Sequence, residues 1–171
     1  MPDINDYVNY GNHGICQIEN ICPMKFSSDT CERDYYILKP VHQENTHIFV
    51  PVENQKLIEQ MRPILSPEDI DQIILSVRNR SIPWTNDRKQ RAIEFQDILS
   101  RRNECELLQL ASCLYLRERD GAKGLSSCDA QILKKVEAII SQEFSFSLNI
   151  STREVGAYIR KKLDMQEAIP V

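Results

Sequence analysis

The sequence has no apolar run of about 18 residues, so no segment reads as a membrane-spanning helix. Its first residues, Met1-Pro2-Asp3-Ile4-Asn5-Asp6, are polar and acidic, with neither the basic start nor the apolar stretch of a secretion signal. These two absences lead us to expect a soluble, cytoplasmic chain without membrane contact. No glycine-rich phosphate loop and no Gly-x-Ser-x-Gly elbow is present, which removes the P-loop and α/β-hydrolase chemistries. The six cysteines form no Cys-x-x-Cys pair, and the spacings of Cys16, Cys22 and Cys31 fit no common zinc knuckle. In a cytosolic chain they read as reduced thiols, with no metal site. His13, His42 and His47 all fall in the first third, away from any acidic pair at ligand spacing. His13 and Cys16 could be imagined as base and nucleophile, but no third residue is placed to orient them. We expect no enzyme, no cofactor and no small-molecule substrate.

Charge is unevenly spread. Residues 1–70 carry 5 Lys and Arg against 11 Asp and Glu, a net −6, whereas residues 71–171 are net +2. The basic excess peaks over 78–102, where 7 cations face 3 acids. Any nucleic-acid contact must therefore be local and neutralise few phosphates.

Residues 6–52 read as strands. Tyr7–Tyr10 leads into the turn Gly11-Asn12-His13-Gly14, and residues 15–21 alternate in part at period two. A polar loop at 27–30 precedes a third strand over 35–41, and Thr46-His47-Ile48-Phe49-Val50 begins a fourth. Four or five short strands in so little chain suggest a small, strongly bent sheet or half-open barrel. Pro40 and Pro51 point to edge strands, because proline donates no ladder bond. An uncovered edge invites a strand from a partner; covering by the second domain would serve equally well. Residues 54–61 read as a short helix ended by Arg62-Pro63, which sets domains at 1–62 and 63–171.

Beyond that boundary the period becomes helical. Ser66-Pro67-Glu68-Asp69 is a start signal ahead of the stripe Ile70, Ile73, Ile74 and Val77. A helix over about 86–100 carries Ala92, Phe95, Ile98 and Leu99 on one side, with Arg88, Lys89 and Arg91 expected on the polar side opposite. A third helix starts near Asn103, with Glu106 at capping-box spacing. Asp120–Leu125 breaks the pattern, and Ser126–Asp129 caps a long helix. Its start, with Lys123 just before it, is a possible phosphate site, although the glycines there equally well just shape a helix hairpin. A last short helix holds Val155, Tyr158, Ile159 and Leu163, and 166–171 should fray. The expected class is α+β: a small N-terminal β half-barrel followed by an all-α bundle of about five helices.

The only tryptophan follows Pro83 and precedes Arg88, Lys89 and Arg91. A flat apolar ring beside helix-borne cations suits a wedge against a base step, with the cations holding phosphates. The same ring would also suit a cap on the core where two helices meet.

Tyr10-Gly11-Asn12-His13-Gly14-Ile15 resembles the opening Tyr-x-x-His-Gly of CarD-type bacterial transcription regulators. Tyr35–Lys39, Phe49–Asn54 and Arg62-Pro63-Ile64 look like the signatures that follow. Trp84 before a basic helix, Leu114–Arg117, Lys123–Ser126 and Ile132–Val136 with Glu143-Phe144 match in order across the second half. The resemblance implies a Tudor-like first domain that docks on the RNA polymerase β subunit by pairing an edge strand, here Thr46, His47, Ile48, Phe49 and Val50. It implies a second domain on promoter DNA at the upstream edge of the melted bubble. Trp84 would enter the minor groove, and Arg88, Lys89, Arg91 and Lys123 would hold the backbone. The implied function is stabilisation of the open promoter complex, with association to the nucleoid through polymerase. The chain departs from some relatives by placing Met24 and Phe49 where they carry arginine, and Asn86-Asp87 directly after the tryptophan stretch. A two-domain protein–protein adaptor without DNA contact remains the other reading.

Overall fold

The computed structural model describes residues 2–167 apart from 28–30, Glu44, Asn79, Ser81 and Ala122, with side chains through Leu163. The chain divides into two compact units, residues 1–64 and 65–171. The boundary expected after Arg62 lies two residues short of this division.

The first unit is an open antiparallel sheet. Its strands are β1 (Tyr7–Tyr10), β2 (Ile15–Met24), β3 (Arg33–Pro40), β4 (Ile48–Pro51) and β5 (Met61–Pro63), in the order β4-β3-β2-β1-β5. Gly14, at φ 70° and ψ −142°, occupies backbone space closed to other residues and brings its carbonyl back to the Tyr10 N–H at 2.8 Å. That contact turns β1 into β2. Register shifts between Ile18 and Asn20, which leaves Glu19 as the extra residue of a bulge and bends the long strand. Val8, Cys16, Ile18, Tyr36, Leu38, Val50 and Met61 fill the core on one face.

Two strand expectations and one helix expectation need correction. Thr46 and His47 precede β4 rather than belonging to it, because Thr46 donates its N–H to Gln43 in a turn, at 3.1 Å. Pro40 lies in the inner strand β3, tolerated there as its last residue, since β4 pairs only as far as Leu38. Asn54 caps one short helical turn, α1 (Gln55–Ile58); Met61 lies beyond it as the first residue of β5, opposite Tyr10, and is buried in the sheet core. Pro51 does lie in an edge strand, as proline requires. Of the polar loop, residues 28–30 lie outside the described residues.

The second unit contains five helices among the described residues: α2 (Pro67–Ser76), α3 (Arg88–Arg101), α4 (Glu104–Asp120), α5 (Ser127–Leu148) and α6 (Thr152–Glu167). Ser66 and Asp69 form a reciprocal capping box at the start of α2. Asn103 caps α4, but Glu106 does not complete the box; its carboxylate takes Arg101 Nε at 2.8 Å instead. Ile70, Ile74, Phe95, Leu107, Leu114, Val136 and Phe144 build one core. Asp71 ties α2 to α6, accepting from Tyr158 Oη at 2.6 Å and Lys162 Nζ at 2.5 Å. The tail expected to fray starts at Gln166, yet Gln166 and Glu167 are the last residues of α6; residues 168–171 lie outside the described residues.

Candidate functional site

Two surfaces, one in each unit, collect the residues singled out in the sequence. The first is the free edge of β4. Val52 donates to the Asp34 carbonyl at 2.9 Å, which fixes the alternation of the β3–β4 ladder. Val50 and Ile48 therefore bond inward to Tyr36 and Leu38, and Phe49, opposite Ile37, turns its N–H and C=O outward. Within β4, Phe49 alone offers a complete donor–acceptor pair. Pro51 has no N–H, and its carbonyl already accepts from Asn54 at 3.1 Å.

The side chains sort the same way. Val50 is buried and Ile48 faces the same core, while Phe49 stands exposed on the other face. His47 Nε2 lies 2.9 Å from Glu19 Oε2, linking the residue before β4 to the bulge in β2. Met24, at the end of β2, is half-buried.

The second surface surrounds Trp84. Pro83 holds Ile82 out of helical space, and the chain enters α3 through Asp87, whose carboxylate accepts the Gln90 N–H at 2.8 Å. Thr85 Oγ1 donates to Glu94 at 2.7 Å, and Arg91 Nη1 donates to the Thr85 carbonyl at 2.8 Å. These bonds strap residues 85–87 onto the first turns of α3. The indole comes to lie half-buried, packed edge-on against Phe95 at 6.3 Å between ring centres. Two guanidiniums lie over it, Arg91 at 4.4 Å and Arg117 at 4.7 Å from the ring centre.

Arg91 overturns one expectation outright. It was placed on the polar side of α3, yet it is 5% exposed and forms a bidentate pair with Asp129, at 3.1 and 2.9 Å. Helical spacing put it among solvated cations, but the N-terminus of α5 supplies a carboxylate on that side. Hydrogen bonding to Asp129 holds the guanidinium pKa above its ordinary value against the opposing effect of burial. Burial would raise the Asp129 carboxyl, but bonds from Arg91 and Ser126 outweigh it and hold the group below its ordinary range. Arg91 is thus an internal strut and is withdrawn as a phosphate contact.

Arg88 and Lys89 are exposed in the first turn of α3. Arg88 is near enough to Asp129 to help stabilise its charge. Lys123 is exposed in the turn before α5, and no described contact joins it to the Trp84 ring. Arg117 was missed as a site residue. Nothing local in the sequence of α4 marks it, because its significance comes from α4 lying beside the 82–87 segment. Cys113, one turn earlier, shows that packing through its thiol, 3.6 Å from the Ile82 carbonyl.

Residues 3–65 match the model of the CarD-like/TRCF RID domain. The first unit is similar to domains of that family. Such a domain implies an interaction with RNA polymerase, and it is a binding module rather than a catalytic one. The match ends where the helical unit begins. The chain matches none of the curated proteins. No helix among the described residues is long and apolar enough to cross a membrane.

Proposed function

We propose that this chain docks on the β subunit of RNA polymerase through the β4 edge and acts on promoter DNA through the surface around Trp84. The CarD-like/TRCF RID match carries the reading, and the unpaired Phe49 backbone supplies a physical means of docking. The sheet would serve as a Tudor-like anchor. The helical unit would present the half-exposed indole, with Arg117 over its ring and Arg88, Lys89 and Lys123 exposed elsewhere on the same unit, to the minor groove at the upstream edge of the bubble. An aromatic wedge favours an unstacked base step and so lengthens the life of the open complex. The chain performs no chemistry of its own, and its cytoplasmic location would be at the nucleoid, through polymerase.

The decisive experiment measures open-complex lifetime with wild-type chain and with Trp84→Ala. The variant should still bind polymerase while the lifetime falls toward that of polymerase alone. An unchanged lifetime with a folded, bound variant removes the wedge. Ile48→Pro should separately weaken polymerase binding, because a proline within β4 distorts the edge.

Two observations favour the adaptor reading: Arg91 is committed to Asp129, and the indole is partly covered by Phe95. An adaptor would bind polymerase and a second protein with no contribution from DNA.

A further inference from the structure

An exposed aromatic cluster lies on the outer face of the sheet, beside its free edge. Phe26 follows β2, is 57% exposed, and stacks edge-on against Tyr35 of β3 at 5.1 Å and Phe49 of β4 at 5.5 Å. Phe49 is itself 39% exposed. Tyr35, Ile37 and Phe49 share this face because Tyr36, Leu38 and Val50, between them in the ladder, point to the core. Large aromatic rings left in water next to each other mark a contact surface. Nothing in the first core requires them there, since that core closes on the opposite face.

The cluster and the free edge meet in one residue. Phe49 offers the outward backbone pair, and its ring forms part of the aromatic surface. A strand added at β4 must bond to Phe49, and the residue it places opposite projects its side chain on the same face as the Phe49 ring. That side chain arrives on Phe26 and Phe49. A charged group would lose its water there without gaining a partner, whereas an aliphatic or aromatic one would complete the packing.

Resting on the polymerase reading for the identity of the partner, we infer that the Phe26–Tyr35–Phe49 cluster is an apolar subsite. It takes an aliphatic or aromatic side chain from the polymerase strand that pairs with β4. Docking is then specified by one backbone register and one apolar side chain rather than by a row of ladder bonds.

The test measures binding of the full-length chain to purified RNA polymerase by calorimetry, with circular dichroism on each variant. Phe26→Ser removes a ring that lies outside every strand, so the sheet should stay folded. Phe49→Thr removes the second ring and keeps strand propensity; Phe49→Leu keeps an apolar group. Phe26→Ser and Phe49→Thr should each weaken binding roughly tenfold, and Phe49→Leu by about threefold or less. Wild-type affinity in Phe26→Ser and Phe49→Thr overturns the subsite while leaving the polymerase reading standing. Equal losses in Phe49→Leu and Phe49→Thr, with none in Phe26→Ser, overturn it too. A wild-type chain that does not bind polymerase overturns both.

Discussion

Arg91 grips Asp129 with two hydrogen bonds while its guanidinium carbon lies 4.4 Å from the centre of the Trp84 ring. One side chain thus joins the start of α3 to the start of α5 and forms part of the seat of the indole. Removing the carboxylate leaves a buried cation without its counter-charge, a loss of about 3–5 kcal/mol. Asp129→Ala should therefore lower the urea midpoint sharply. Trp84, the single tryptophan, should shift its fluorescence to the red as its seat loosens. Polymerase binding by the first unit should persist under conditions where the variant remains folded. An unchanged midpoint would mean that the pair does not hold the seat.

Acid should destabilise the helical unit through two carboxylates. Burial pushes Asp71 up, but hydrogen bonds from Lys162 and Tyr158 outweigh it and hold its pKa below the ordinary value; Asp129 is lowered against burial by Arg91 and Ser126. A depressed carboxyl binds fewer protons folded than unfolded, so its contribution is present at neutral pH. It is lost as pH falls from about 4 through the lowered folded values. Stability followed by denaturant unfolding should drop steeply below about pH 4. In Asp71→Asn the drop should be shallower, because one of the two linked protonation steps is gone.

The six cysteines should differ in reactivity. Burial pushes the Cys16 thiol up to about 11, whereas Cys31 and Cys128 are exposed. Alkylation follows the accessible thiolate. At mildly alkaline pH, Cys31 and Cys128 should label first, and Cys16 only as the sheet unfolds. Peptide mass spectrometry after timed iodoacetamide treatment reads the order directly. Early labelling of Cys16 would contradict the packing of Val8, Ile18 and Leu38 around it.

Local signals in the sequence were read well where they are sufficient by themselves. Ser66, Asn103 and Ser126 each cap the helix that follows, because a cap is decided within four residues. The edge position of Pro51 followed from its missing N–H. Misreadings arose where a distant partner decides. Met61 continues a helical pattern locally, yet β1 recruits it into the sheet. Arg91 has the spacing of a solvated cation, yet Asp129, 38 residues later, draws it inside. Arg117, read only within the stretch Leu114–Arg117, and Phe26 carried no mark of a site role, since each matters through a ring on another element.

With Arg91 internal, the proposed phosphate contacts reduce to Arg88, Lys89, Arg117 and Lys123, all exposed. Each phosphate contact contributes about −0.9 to the slope of log affinity against log salt on duplex DNA. Three contacts formed at once give a slope of roughly −3 for the DNA-dependent part of binding to a promoter–polymerase complex. Lys89→Ala should flatten that slope by about 0.9 and weaken binding to a similar degree on every promoter. Arg91→Lys should not behave as the loss of a phosphate contact: a lysine cannot reproduce the bidentate pair with Asp129, so it should lower stability and leave the slope of the folded fraction unchanged. A salt slope indistinguishable from that of polymerase binding without DNA would instead favour the adaptor, with Trp84 serving the core through Phe95.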